Sequence, residues 1–153
     1  MNFASALKTR FEQVGDRADL DNSIGMYQSA LDLMPPGHPS WSSSLMNIAN
    51  MLLMRSDRLG HRADLDDAVI KFREALALRP LGHPLRYTTL INLGNALNSR
   101  FTLVRERVDL DDAITNFHVA LALMPPNHAT RPAILLNLSN SLLTRCEEIG
   151  RSY

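Results

Sequence analysis

The side chains with the most chemical potential in this chain are clustered carboxylates, histidines beside prolines, and one thiol. Asp64, Asp66 and Asp67 fall within four residues, and His83-Pro84 follows some twenty residues later. Acids this dense suggest a metal site. A calcium loop, however, needs oxygen ligands at alternating positions and a glycine for its sharp turn. The segment DLDDAV has neither, and it runs directly into an apolar helical pattern. An aspartate in front of such a pattern accepts backbone N–H bonds as a helix cap, and acids in the first turn meet the positive end of the helix dipole. Asp19, Asp64 and Asp109 are therefore expected to be helix caps, with no metal bound. Asp67 and Asp112, three residues on, stand where a capping box places its acid. No glycine-rich phosphate loop, zinc-binding HExxH pattern or nucleophile elbow is present. Cys146 is the lone cysteine and lacks a plausible base partner, so no catalytic residue and no cofactor is expected.

The same residues recur. DLDDAVIKFREALALR at 64–79 and DLDDAITNFHVALALM at 109–124 share 10 of 16 positions, and DLDNSIGMYQSALDLM at 19–34 is a further copy. Asp19, Asp64 and Asp109 stand 45 apart, as do His38, His83 and His128, and Arg10, Arg55, Arg100 and Arg145. Asn2, Asn47, Asn92 and Asn137 keep the same interval. Repeat units of approximately 2–46, 47–91 and 92–136, with a partial unit 137–153, make one helical-repeat domain over 1–153. Histidines one repeat apart cannot easily converge on one metal, so they read as turn structure.

Apolar spacing places the helices. Leu90, Leu93, Leu97 and Phe101 recur three or four residues apart. So do Leu110, Ala113, Ile114, Phe117, Ala120 and Leu121. The fold class is all-α, with about seven helices near 3–14, 20–34, 41–58, 65–79, 85–104, 110–124 and 131–149. Antiparallel pairs stack so that each buries its apolar stripe on its neighbours. Ala30, Ala75 and Ala120 are small enough to allow a close helix neighbour. Leu135, Leu138 and Leu142 are expected to pack back on the preceding pair, leaving Leu136 and Leu143 exposed. The sticky end so created implies a segment of a longer array, or self-association.

Each repeated arginine lies near the packed stripe of its helix, where a guanidinium needs a carboxylate. For Arg100 the candidates are Asp109 and Asp111, within the repeat or across to the next. Arg55, with Asp66 in the corresponding place, repeats the pattern. A ligand contact is the other reading. The 16 basic and 16 acidic residues balance, which gives no bulk field for nucleic acid or acidic lipid. The longest apolar run, LMNIANMLLM, is too short and too interrupted to span a bilayer. A cytoplasmic, reducing environment suits a chain with a single cysteine.

NLGNAL at 92–97 followed by LDDAITNFHVALALMP at 110–125 resembles the tetratricopeptide (TPR) repeat. The family's small residue in the first helix is matched by Ala4, Ala49, Gly94 and, loosely, Ser139. Its second-helix alanines are matched by Ala68/Ala113 and Ala75/Ala120, and its helix-ending proline by Pro35, Pro80 and Pro125. The family unit is about 34 residues; here each unit is 45. The longer form is similar to repeats of basidiomycete fungal proteins that often carry a caspase-like CHAT protease domain, of which nothing is present here. The resemblance implies a TPR-like solenoid whose first helices line a concave surface that binds protein or peptide. An oligomerisation or sensor role within a larger fungal protein is the alternative. The resemblance further implies that Asn47, Asn50, Asn92, Asn95 and Asn137 are groove candidates for a peptide backbone, although the lysines of the family's carboxylate clamp are missing. The same amides would otherwise tie neighbouring first helices together.

Overall fold

The structure, a computed structural model, describes Thr9, residues 17–35 and residues 37–150. It divides into two compact units, Met1–Leu78 and Arg79–Tyr153. The first holds α1 (Arg17–Asp32), α2 (Trp41–Leu59) and α3 (Arg62–Ala77). The second holds α4 (Arg86–Val104), α5 (Arg107–Leu123) and α6 (Arg131–Gly150). The fold class is all-α, built of repeated helix pairs, with no strand among the described residues. The helix expected near 3–14 lies outside the described residues except for Thr9, which is helical.

Two devices recur, one at each end of a pair. At the joint within a pair, α2 ends at Gly60, whose left-handed backbone (φ 69°) lets its N–H return to the Ser56 carbonyl. His61 is extended, and α3 begins at once. The joint between α4 and α5 is the same, except that Arg105 takes the left-handed place (φ 61°), donating to the Phe101 carbonyl. A joint of two residues forces the pair antiparallel. At the turn between pairs, the His83 N–H donates to the Pro80 carbonyl and Arg86 N–H to His83, and the same two bonds recur from Pro35 and Pro125. Each turn histidine then uses its ring: His38 Nδ1 accepts from Ser40 N–H at 3.1 Å, His83 from Leu85 at 3.1 Å and His128 from Thr130 at 3.3 Å. The histidines are thus turn structure, holding a backbone N–H just ahead of the next helix.

The core follows the expected stripes. Leu65, Ala68, Val69, Phe72 and Ala75 of α3 are buried, as are Leu110, Ala113, Ile114, Phe117, Ala120 and Leu121 of α5. Phe72 and Phe117 are each wholly enclosed, worth about 2–3 kcal/mol of apolar burial apiece. Ala75 and Ala120 are fully buried and Ala30 is half-buried. Gly94 shows why a small residue is needed on α4: a Cβ there would stand 2.7 Å from the Phe117 ring.

Two expectations about α5 and α6 need correction. Asp109 does not precede α5 but is the third residue inside it, and Glu106 stands in the flanking place without a side-chain cap bond. Asp64 is likewise inside α3 behind His61, and Asp19 lies in the first turn of α1. Because the joint is so short, each helix starts about a half-turn earlier than the acid. On α6, Ile134 and Leu138 pack inward and Leu142 is half-buried, whereas Leu135 is exposed along with Leu136 and Leu143.

Candidate functional site

The buried aspartates are the first component of the site. Asp64, 6% exposed, is turned inward and meets Arg55 side-on. Nε donates to Oδ2 and Nη2 to Oδ1, both at 2.6 Å. Arg100 repeats this with Asp109 at 2.8 and 2.5 Å. Two parallel charge-assisted bonds fix the planar guanidinium more firmly than a single contact would. The third nitrogen of Arg55, Nη1, donates to Asp21 Oδ1 at 2.6 Å, joining α1 to the α2–α3 pair. Arg145 of α6 meets Asp111 of α5 at 3.4 Å in the corresponding relation. The ladder therefore draws on two kinds of acid: one nine residues later, at Arg55 and Arg100, and one thirty-four residues earlier on the preceding second helix, at Arg55 and Arg145. Asp64's hydrogen bonds, followed by those of Asp21, hold the Arg55 guanidinium's proton well above its ordinary range, against the opposing effect of burial.

Of the expected ion-pair acids, Asp111 meets Arg145, and Asp66 lies 3.7 Å from Arg62 on its own helix. The acids Asp64 and Asp109, expected as caps, are the bidentate partners. Alternation explains this: the first acid of each Asp-Leu-Asp faces inward and the second faces the surface. The arginines are accordingly structural, binding helix to helix, and Arg10 lies outside the described residues.

The second component is a polar seam between the parallel helices α4 and α6. Asn95, Asn98, Thr102 and Arg105 occupy one face of α4, at intervals of three, four and three. Asn137, Ser141, Thr144 and Glu148 occupy one face of α6, at intervals of four, three and four. Asn137 Nδ2 donates to Asn95 Oδ1 at 3.1 Å, Asn98 Nδ2 to Ser141 Oγ at 2.8 Å, and Arg105 approaches Glu148 at 3.4 Å. The structure thus brings Asn95 and Asn137 together as a lateral tie between first helices. Asn92 is half-buried on α4, and Asn47 and Asn50 are half-buried on α2.

Beyond this tie the seam opens into a cleft of about 360 Å³. Phe101 and Leu110, both nearly buried, lie at its floor; Asn98, Thr102, Asn140, Thr144, Glu147 and Arg105 are among the polar walls. Asn98 Oδ1 is enclosed without a hydrogen-bond donor. The Arg105 guanidinium lies 5.4 Å from the Phe101 ring centre. Its left-handed backbone costs about 1 kcal/mol that glycine, the residue at the matching joint, does not bear. Asn98, Arg105 and Glu147 went unnoticed in the 45-residue alignment because helices α4 and α6 meet at offsets of 42 and 43, whereas Asn140 keeps the 45-residue register of Asn50 and Asn95 and was legible there. The polar spacing along each first helix was the available signal.

At the top of the seam, the Tyr87 hydroxyl and His128 Nε2 are 3.2 Å apart with the rings edge-to-face. His128 Nδ1 accepts from Thr130, which assigns the ring proton to Nε2. Among the described residues no group of His, Cys, Asp or Glu is arranged to hold a metal ion, and no helix is long and apolar enough to cross a membrane. No protein-family model matches the chain, and no curated protein matches it.

Proposed function

We propose that this chain is a non-enzymatic, TPR-like scaffold, working in the cytoplasm, whose first helices hold a peptide or protein segment. The observation that supports this most is the cleft between α4 and α6. Its hydrogen-bonding side chains stand over a floor formed by the nearly buried Phe101 and Leu110, which suits the polar backbone of an extended chain. The left-handed Arg105 on its wall fits the tendency of strained backbone to gather at binding sites. The amides that count for binding in this reading are Asn98 and Asn140. Asn95 and Asn137 hold the wall of the cleft by bonding to each other. The resemblance to fungal CHAT-associated repeats bears on the setting, a larger assembly, and not on the ligand.

A random-sequence peptide library panned on the chain tests this. Binders are expected to protect α4 and α6 from hydrogen exchange and to lose affinity at least tenfold on Asn140→Trp, which fills the cleft. Binders indifferent to that substitution, and footprints lying elsewhere, would overturn the reading.

A second reading, self-association, rests on a separate observation. Leu135, Leu142, Cys146 and Ile149 form one stripe of α6, with Leu135 and Ile149 each close to half exposed. Light scattering across a concentration series, with Ile149→Glu as control, separates a monomer from an assembly through this stripe.

A further inference from the structure

The polar walls of the α4–α6 cleft are unequal in donors and acceptors, and the imbalance specifies the ligand. Each hydroxyl owns one proton. Thr102 gives its proton to the Asn98 carbonyl at 3.0 Å, Thr144 to Asn140 at 2.9 Å, and Ser141 to Asn137 at 2.8 Å. Only oxygen lone pairs remain on Thr102 and Thr144 to face a ligand. Asn98 spends its amide donor on Ser141, leaving Oδ1 without a donor. Arg105 is shared with Glu148, and the Glu147 carboxylate has no partner among the described residues. One net negative charge and a surplus of acceptors therefore line the cleft. Arg107 and Arg145 line a neighbouring hollow between α5 and α6, where Arg107 donates to the Glu148 carbonyl and Arg145 meets Asp111. An anion entering the α4–α6 cleft would find the Asn140 amide and an already engaged guanidinium. A cation would find Glu147 and two hydroxyl oxygens.

From this, and building on the peptide-binding reading above, we infer that the cleft selects a basic side chain: the ammonium of a lysine or the guanidinium of an arginine on the bound segment. The charged head donates to Glu147 and to the Thr102 and Thr144 oxygens. The environment already accommodates one guanidinium, that of Arg105 beside Phe101.

The test is amide NMR of the full chain titrated with capped alanine pentapeptides carrying a central lysine, arginine, norleucine or glutamate. The lysine and arginine peptides are expected to shift the Asn98 and Asn140 side-chain amides and the backbone around Glu147, and added salt should weaken both. Glu147→Gln should weaken them about two- to fivefold, the range of an exposed charge pair. Glu147→Lys should abolish the lysine response. Both changes are at an exposed position and should leave the fold intact, which the unperturbed core resonances verify. If the norleucine or glutamate peptide shifts the same resonances as strongly, the cation selectivity is wrong while the groove reading stands. If library-selected peptides also miss the cleft, both fall.

Discussion

Arg100 and Asp109 offer the sharpest test of how the helix pair is held. The acid is 3% exposed and the guanidinium 19%, joined by bonds of 2.5 and 2.8 Å. Arg100→Met leaves a carboxylate enclosed without its guanidinium, a situation that costs about 3–5 kcal/mol. Asp109→Asn is milder. The amide oxygen still accepts one bond, and the guanidinium reaches some water, so the loss is about 2 kcal/mol. The double variant carries no charge to strand, so its loss should be about 1–2 kcal/mol, far less than the sum of the single losses. The implied coupling is about 4 kcal/mol, well above what independent sites show. For a chain of this length each kcal/mol moves the midpoint by about 2–4 °C, so Arg100→Met should lower it by roughly 10 °C. Thermal circular dichroism supplies the midpoints, and hydrogen exchange places the loss in α4 and α5. Strictly additive single effects, or single effects below about 0.5 kcal/mol, would show that the ion pair does not organise this joint.

Three other substitutions probe the same packing. Gly94→Ala gains helix propensity of about 1 kcal/mol but presses a methyl against the enclosed Phe117 ring; overpacking costs about 1–3 kcal/mol, so urea denaturation should show a net loss. Arg79 is 3% exposed, and burial lowers its affinity for its proton; Arg79→Met, the residue at 34 and 124, should be neutral or stabilising by up to about 2 kcal/mol, because the Thr89 hydroxyl still donates to the Leu85 carbonyl. Partial burial pushes the Asp57 carboxyl up, so its charged form is disfavoured in the folded state and wild-type stability from this group is lost as pH rises through the folded pKa. Asp57→Asn should therefore raise the melting midpoint slightly near pH 7 and progressively less toward about pH 4, and a gain that grows toward low pH would refute the sign.

The repeat made most of the fold legible before any coordinates. A stripe such as Leu110, Ala113, Ile114, Phe117 and Ala120 has one packing solution, and seeing it three times at one interval removes the ambiguity of any single copy. Helix identity, core residues and turn histidines all follow from local pattern, because backbone hydrogen bonding and apolar periodicity are decided within a few residues of the chain. What Asp64 and Asp109 do was not local. Alone, an acid ahead of an apolar run reads as a cap. Only when the two-residue joint starts the helix early, and folds Arg55 or Arg100 back against its first turn, does that acid become a buried ion-pair partner. The cleft was less legible still. Its side chains belong to helices that meet at offsets of 42 and 43 instead of 45, so a sequence alignment by repeat does not bring Asn98 opposite Ser141 or Arg105 opposite Glu148. Sequence by itself determined which faces are buried, since hydrophobic periodicity is intrinsic to each helix. Tertiary structure decided which polar groups meet, since that depends on how the parallel helices α4 and α6 slide past one another, and the slide is set by how each packs on α5 between them.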